Sequence, residues 1–372
     1  MISNSEVQME SNEERYRRAA ETSAPPRPRS PRPIVILGAG GIVRAAHLPA
    51  YQKADFPVIA IADSASGKAA ELASEKGILR GFSSIEEAVR FAPTDAIFDV
   101  AVPASQIMTI LPQLPPGASV LIQKPMGETL DEAKAIRDHC RQRGLVAAVN
   151  FQLRYSPNNL AAVALQQAGL LGELHDMEVQ VRTYMPWQLW TFLATAPRLE
   201  ILYHSIHYLD LIRSWLGNPV GIYAKTVRNP QSGTLAATKS SMILDYGDWK
   251  RVFVVTNHGH DLPAETHRSF VQWEGTGGAI RMVMGVNLDY PKGVPDALTY
   301  AERGTANRQW INLPVKGNWF PDAFVGSMGA LQSYVEGSTK ELPIGFESAY
   351  QTMALVEAAY RSSARQAEPL AL

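Results

Sequence analysis

The chain predicts an α/β protein in two parts. The first is an N-terminal Rossmann doubly wound parallel sheet, and the second a C-terminal α+β domain on a large, mostly antiparallel open sheet. Three observations carry this expectation. Apolar runs of strand length alternate with helical stretches as far as about residue 151, the rhythm of parallel strands joined by crossover helices. The first of these runs ends in a glycine cluster, Gly38-Ala39-Gly40-Gly41-Ile42. From about Gly172 strand-like segments follow one another with few helices between them.

The segment from Ile34 to Asp63 explains the glycine cluster. A β-branched run, Ile34-Val-Ile-Leu, enters it, a helical stretch leaves it, and a second run, Val58-Ile-Ala-Ile-Ala, ends in Asp63, 25 residues after Gly38. Gly38 permits the tight turn, and Gly40 lets backbone approach a pyrophosphate that a side chain would block. A helix starting near Gly41 aims free N–H groups at that anion. Asp63 is placed to accept hydrogen bonds from both ribose hydroxyls of an adenosine. Glycines set in strand–turn–helix–strand–acid order specify a dinucleotide site, with NAD the expected cofactor and NADP possible. The third glycine slot holds Val43. That position serves helix–strand packing, so the departure should shift the helix and leave the site.

The remaining elements follow in order. Ser66–Glu75 and Ser84–Phe91 read as helices, Asp95–Val102 as a buried strand, and Gln106–Leu111 as a helix. The strand Ser119–Gln123, the amphipathic helix Leu130–Gly144 and the strand Val146–Phe151 complete the first rhythm. In an open parallel sheet, ligands lie beyond the carboxyl ends of the strands, which puts Val102-Pro103 and Gln123-Lys124-Pro125 on the rim. Beyond Gly172 the strand-like runs are Leu174–Tyr184, Val220–Val227, Ser241–Tyr246, Arg251–Thr256, Ser269–Glu274 and Ala279–Met284, with a helix around Glu200–Trp215. Two late helices, Ala323–Val335 and Ser348–Arg365, are expected to pack back on the first domain. The expected division is a tail over 1–32, a cofactor domain over 33–151, a substrate and oligomerisation domain over 152–345, and a closing helix within 346–372.

Composition sets the outer limits. With 372 residues there is room for two ordinary domains, and 46% hydrophobic against 19% charged residues suits a chain with a large core. A formal net charge of −1 argues against nucleic acid as a partner. The single cysteine, Cys140, allows no intrachain disulfide and suits a reducing compartment. No apolar run approaches the roughly 18 residues that span a bilayer, and Met1-Ile-Ser-Asn-Ser-Glu6 lacks the apolar core of a secretory signal. A cytoplasmic protein with no membrane partner is expected. Residues 1–32 are polar and run out in Ala24-Pro-Pro-Arg-Pro-Arg-Ser-Pro-Arg-Pro33. Such a segment is expected to be extended or disordered, or else to be an arm on a partner subunit.

Chemistry concentrates at two places. Lys124 sits at the rim, with Pro125 breaking the chain behind it, where an ammonium can donate to a reacting oxygen. In Tyr203-His204-Ser205-Ile206-His207-Tyr208-Leu209-Asp210, positions 204, 207 and 210 fall on one helix face. Two imidazoles and a carboxylate there suit acid–base work near neutral pH. A zinc site is the rival reading, and with no third histidine or cysteine beside them no metal is expected. His258-Gly259-His260 reads as a polar hairpin loop. Trp187, Trp190 and Arg198 are candidates to line a substrate pocket, the arginine favouring a carboxylate.

Taken in order, the glycine loop, the strand ending in Asp63, Gln123-Lys124-Pro125, Gln152-Leu-Arg154-Tyr155, His207-Tyr-Leu-Asp210 and Glu357-Ala-Ala-Tyr-Arg-Ser-Ser resemble the glucose–fructose oxidoreductase/inositol dehydrogenase (Gfo/Idh/MocA) family over about residues 33–368. The resemblance implies an NAD(P)-dependent dehydrogenase acting on a hydroxyl carbon of a sugar, polyol or sugar acid. It makes Lys124 the active-site lysine and His207 the catalytic histidine, the acceptor of the hydroxyl proton. Arg154, Tyr155, Trp187, Tyr203 and His204 become substrate contacts. Four positions depart from the family pattern. Gln123 replaces a glutamate, Tyr203 an acid four residues before the histidine, Ser205 a glycine, and Val102-Pro103-Ala104 the usual Thr-Pro-Pro. Tyr203 or His204 is expected to take over the acid's role. An NAD-using glycosidase and a non-catalytic cofactor sensor are the alternatives. An open sheet face implies a homodimer or homotetramer.

Overall fold

The computed structural model describes residues 12–21, 23–304 and 309–370. The first sheet has six parallel strands: β1 (Ile34–Leu37), β2 (Val58–Ala62), β3 (Arg80–Phe82), β4 (Ile97–Val100), β5 (Ser119–Ile122) and β6 (Val146–Val149). Their order is β3-β2-β1-β4-β5-β6, the doubly wound arrangement of two mononucleotide-binding halves. β1, β4 and β5 are buried along their whole length, which is why they read as unbroken apolar runs rather than alternating ones. The strand order reverses between β1 and β4. The glycine loop leaves β1, Val102-Pro103 follows β4 and Gln123-Lys124 follows β5, so topology alone gathers three segments on one rim.

The second sheet has eight strands in the order β14-β13-β12-β11-β7-β10-β9-β8. They are β7 (Leu174–Arg182), β8 (Gly221–Val227), β9 (Lys239–Asp245), β10 (Arg251–Asn257), β11 (Arg268–Gly275), β12 (Gly278–Val283), β13 (Ala297–Glu302) and β14 (Ile311–Leu313). Neighbours are antiparallel except β7 and β10, which pair in parallel. Burial alternates along β9 and β10, the mark of a sheet covered on one face. Three strands escaped the sequence reading. β3 is Arg-Gly-Phe with no apolar run, and β13 and β14 are a mixed hexamer and a tripeptide.

Two late helices pack back on the first sheet, and the second of them also reaches the second sheet. Ala323–Val335 packs on β5, β6 and the turn Gln152–Tyr155. Phe346–Ala364 lies against β8 on one side and against Leu130–Arg143 and β6 on the other.

The expectation of a disordered N-terminal tail fails over the described part of it. Asn12–Glu21 is a helix. Its Tyr16 is 2% exposed, stacks on Tyr300 with ring centroids 3.7 Å apart and donates to the carbonyl of Leu170 at 3.2 Å. The proline-rich stretch then crosses Ala323–Val335 as a strap. Backbone N–H groups of Arg29 and Arg32 donate to the side chains of Glu336 (2.9 Å) and Gln332 (2.8 Å). The Pro26 carbonyl lies so close to Gly329 that a Cβ there would sit 2.0 Å from it. A segment poor in N–H donors needs few partners, and the chain supplies them. The first 11 residues of the tail lie outside the described ones.

Candidate active site

The cleft has a volume of about 460 Å³ and opens at the carboxyl ends of β1, β4 and β5. Gly38, at φ +118°, passes so close to β4 that a Cβ would stand 2.3 Å from the Ala101 carbonyl oxygen. Cβ atoms on Gly40 and Gly41 would meet nothing within 4 Å, so both present bare backbone to the open cleft. That is the cradle a pyrophosphate needs. Asp63 stands at the tip of β2, accepting from Ala39 N (2.7 Å) and Ala65 N (2.9 Å), with Lys68 Nζ 3.6 Å away. Ile42, Val102, Pro103 and Gln123 line the same cleft. Ala39 does not, and its part is to lend its N–H to Asp63. At the missing third glycine the helix is wound as a π-turn, Val43–His47, and the fully buried Val43 takes the space a tighter helix would have denied it. These residues fit a dinucleotide: the loop would hold the phosphates and Asp63 the ribose.

Lys124, His204 and His207 line the same cleft, near enough for the lysine charge to act on both imidazoles. The helix that carries the histidines also opens with a π-turn, Ile201–Ser205, before continuing as Ile206–Leu216. Such widened turns recur at functional sites because they redirect a backbone group. Here the carbonyl of Tyr203 accepts from Lys124 Nζ at 2.7 Å. Burial lowers the lysine pKa to about 8. Burial, and then the charge of Lys124, pushes His207 well below its usual range. His204 is pushed down too, by burial and then by His258, Lys124 and His207. Lys124 is therefore a donor near its titration point, and the two imidazoles are neutral at physiological pH.

Other expected site residues are placed differently. Arg154 forms a two-pronged ion pair with Asp210, Nε to Oδ2 at 2.5 Å and Nη2 to Oδ1 at 2.7 Å, and lies away from the cleft. Asp210 also accepts from Thr352 at 2.9 Å, so it is no part of an acid–base unit with the histidines; it anchors the helix. Tyr155 is buried against Gly326, where a Cβ would come within 2.3 Å of the tyrosine Cβ and 2.7 Å of its ring. Arg198 pairs with Glu357 at 2.5 Å and lies over the Tyr360 ring, occupied within the protein. Trp187 stands behind His204 with ring centroids 4.7 Å apart, while Trp190 reaches the cleft surface. The Tyr203 ring lines the cleft, its hydroxyl donating to Glu128 at 2.9 Å.

Several groups at the site were missed from sequence. His258, assigned to a polar loop, is fully buried, 4.4 Å from the His204 ring and 3.4 Å from Glu200 Oε1. Burial works to raise the Glu200 pKa, but His258, Ser205 and Ser240 together hold it below the ordinary value. Gln123 accepts from Asn150 at 2.9 Å, and Asn150 in turn accepts from Ser327 at 2.6 Å, fixing the strand end that carries Lys124. Asn287, Tyr290, Trp319 and Phe320 complete the walls. No group of three or more potential metal-ligating side chains gathers among the described residues, and no helix among them is long and apolar enough to cross a membrane.

Comparison with known proteins bears on this geometry. Residues 32–151 match the model of the oxidoreductase family with an NAD-binding Rossmann fold, GFO_IDH_MocA. The D-apiose dehydrogenase of Rhizobium rhizogenes is 28% identical over 256 residues, 66% of this chain and 70% of that protein. The D-xylose 1-dehydrogenase (NADP(+)) 2 of Haloferax volcanii is 25% identical over 334 residues, 88% and 96% respectively. Among solved structures, an oxidoreductase from Agrobacterium radiobacter in complex with NAD+, L-tartaric acid and magnesium superposes with a TM-score of 0.74. It is 20% identical, and the match covers 90% of this chain and 97% of that one. Its likeness extends through both sheets. With the cofactor cradle and the strand order, the matched segment makes residues 32–151 an NAD-binding Rossmann domain of the Gfo/Idh/MocA oxidoreductase type.

Proposed function

We propose that the protein is an NAD-dependent dehydrogenase acting on a secondary alcohol of a carbohydrate-like small molecule. The observation that carries this is the convergence of Lys124 and His207 in the cleft that the glycine loop and Asp63 open onto. A nicotinamide bound there supplies the acceptor for the hydrogen and electron pair leaving the carbinol carbon. The neutral His207 imidazole takes the hydroxyl proton. The Lys124 ammonium, steadied by the Tyr203 carbonyl, donates to the same oxygen and offsets the negative charge that grows on it. The desolvated setting strengthens both interactions. Asp63 favours NAD over NADP, because a carboxylate accepts from free ribose hydroxyls and repels a 2′-phosphate.

Tyr203 supports this reading over a glycosidase. Its hydroxyl is committed to Glu128, and burial followed by that carboxylate drives its pKa far up, which disfavours a proton-donating role. The retained Lys124–His207 pair counts against a cofactor sensor. We further propose a homo-oligomer joined through the uncovered face of the second sheet. The test is a panel of sugars, polyols and sugar acids incubated with NAD and followed by NADH absorbance. Reduction of NAD with none of them, by a protein that binds NAD, would remove the dehydrogenase reading.

A further inference from the structure

The substrate end of the cleft is poor in the groups that free sugars need. Arg154 and Arg198 are spent on Asp210 and Glu357, and the Tyr203 hydroxyl is committed to Glu128. The polar side chains left to line the cleft beyond the cofactor loop include Lys124, Gln152, Thr191, His204, His207 and Asn287, and no carboxylate or arginine stands among them. The outer wall is apolar. Trp190 and Tyr290 stand tilted at 45° with centroids 5.2 Å apart, and Trp319 runs from His207 (5.4 Å) outward to Phe320 (5.6 Å). At the mouth, Leu189 is 54% exposed and Phe192 45%. Both line the cleft, and Phe192 lies 6.0 Å from the Tyr203 ring. Large apolar side chains left uncovered at the entrance of a binding cleft mark where an apolar ligand surface settles. A free hexose, with hydroxyls on every carbon, would leave those hydroxyls unpaired against this wall and lose the water that had satisfied them.

Resting on the dehydrogenase reading, we propose that the substrate is a glycoside with a planar apolar aglycone. Its sugar ring lies at Lys124 and His207, and its aryl group is covered by Leu189, Trp190, Phe192 and Tyr290. The sugar supplies the secondary hydroxyl, and the aglycone supplies the area that the missing polar contacts do not.

The test compares phenyl and methyl β-D-glucopyranosides, with the matching galactoside and xyloside pairs, on the full-length protein loaded with NAD. NADH formation and equilibrium binding, followed by tryptophan fluorescence, are read on the same samples. At least about tenfold higher kcat/KM and tighter binding are expected for the phenyl member of the accepted pair, since a buried ring is worth more than the single methylene that already discriminates substrates. The double variant Leu189→Ala/Phe192→Ala is expected to bring the phenyl-to-methyl ratio to within about twofold. Equal handling of both members, a ratio that survives the double variant, or no binding of any pair overturns the proposal. Methyl glycosides oxidised as well as phenyl ones would leave the dehydrogenase reading standing without it. Preferential phenyl binding that depends on Leu189 and Phe192, with no NADH formed, would keep the aglycone site and remove the dehydrogenase reading. A double variant that alters sedimentation but not the ratio would reassign the two side chains to a subunit contact.

Discussion

Lys124 and His207 reach past the strand and helix that carry them, so neither is needed to build those elements. Their removal is expected to spare folding and NAD binding, both measurable by fluorescence on the same samples. Turnover should fall by roughly 10²–10⁴-fold for Lys124→Ala and for His207→Ala. The double variant should be little worse than either alone, because groups that act as a unit lose activity non-additively. Near-full activity in His207→Ala alongside loss in His204→Ala would move the proton acceptor one helical turn back. The pH dependence follows from the direction of each shift. Lys124 must carry its proton to donate, and burial places its pKa at about 8, so kcat/KM should fall as pH rises through about 8. His207 must be unprotonated, and burial with the Lys124 charge holds it that way well below its usual range. The acid limb therefore lies below the ordinary histidine range, leaving a plateau across neutral pH. Lys124→Arg keeps a charge that does not titrate. Whatever activity it retains should lose the basic limb, and a limb that persists near 8 would belong to another group.

Elements were legible in the sequence where one local pattern decides them. β1, the glycine loop, β2 and Asp63 stand in a fixed order with a physical role at each step, and helix Ala323–Val335 shows its bounds in a mostly apolar run. β13 and β14 are held by pairing with β12, a long-range fact that short mixed sequences do not announce. The site divides in the same way. The placement of Lys124 and His207 in the cleft was legible because Lys124 follows the end of a strand and His207 lies in the first turn of a helix. Arg154 was misplaced because its partner Asp210 lies 56 residues on, and His258 because only the fold brings β10's end against His204. Asp63 belongs to the legible part and carries a prediction. Dissociation constants should favour NAD over NADP, and Asp63→Ser should narrow the gap by removing the repulsion of a 2′-phosphate. Lys68, 3.6 Å from that carboxylate, would then be free to meet the phosphate. Tighter NADP binding by the unaltered protein would reverse the assignment.

At the scale of the molecule, the N-terminal strap and the open sheet face make separate demands. The strap packs its helix on Pro157–Gln167 and β14 and buries Tyr16. Deleting residues 1–30, harmless to a solvated tail, is therefore expected to lower thermal stability, and Tyr16→Ala alone should cost about 3 kcal/mol, as truncating a buried aromatic does. A deletion that leaves the melting temperature unchanged would show the strap to be incidental. The sheet face poses the opposite problem, apolar surface with none of the described residues over it. Tyr223 on β8, Ile243 on β9 and Phe253 on β10 stand side by side in register, and the first two are 66% and 55% exposed. Next in the row come Glu178, Gln272 and Arg281, so the face has an apolar end and a polar one. Apposing the apolar ends of two copies removes this row from water, and the polar remainder can pair about a two-fold axis. A dimer or tetramer is expected by sedimentation at micromolar concentration. Ile243→Asp should dissociate it, because a carboxylate in the middle of the row would be buried without a partner. The variant should keep its fold, since position 243 points away from the core. A monomeric unaltered protein, or an Ile243→Asp variant of unchanged mass, would leave the face solvent-exposed in the working molecule.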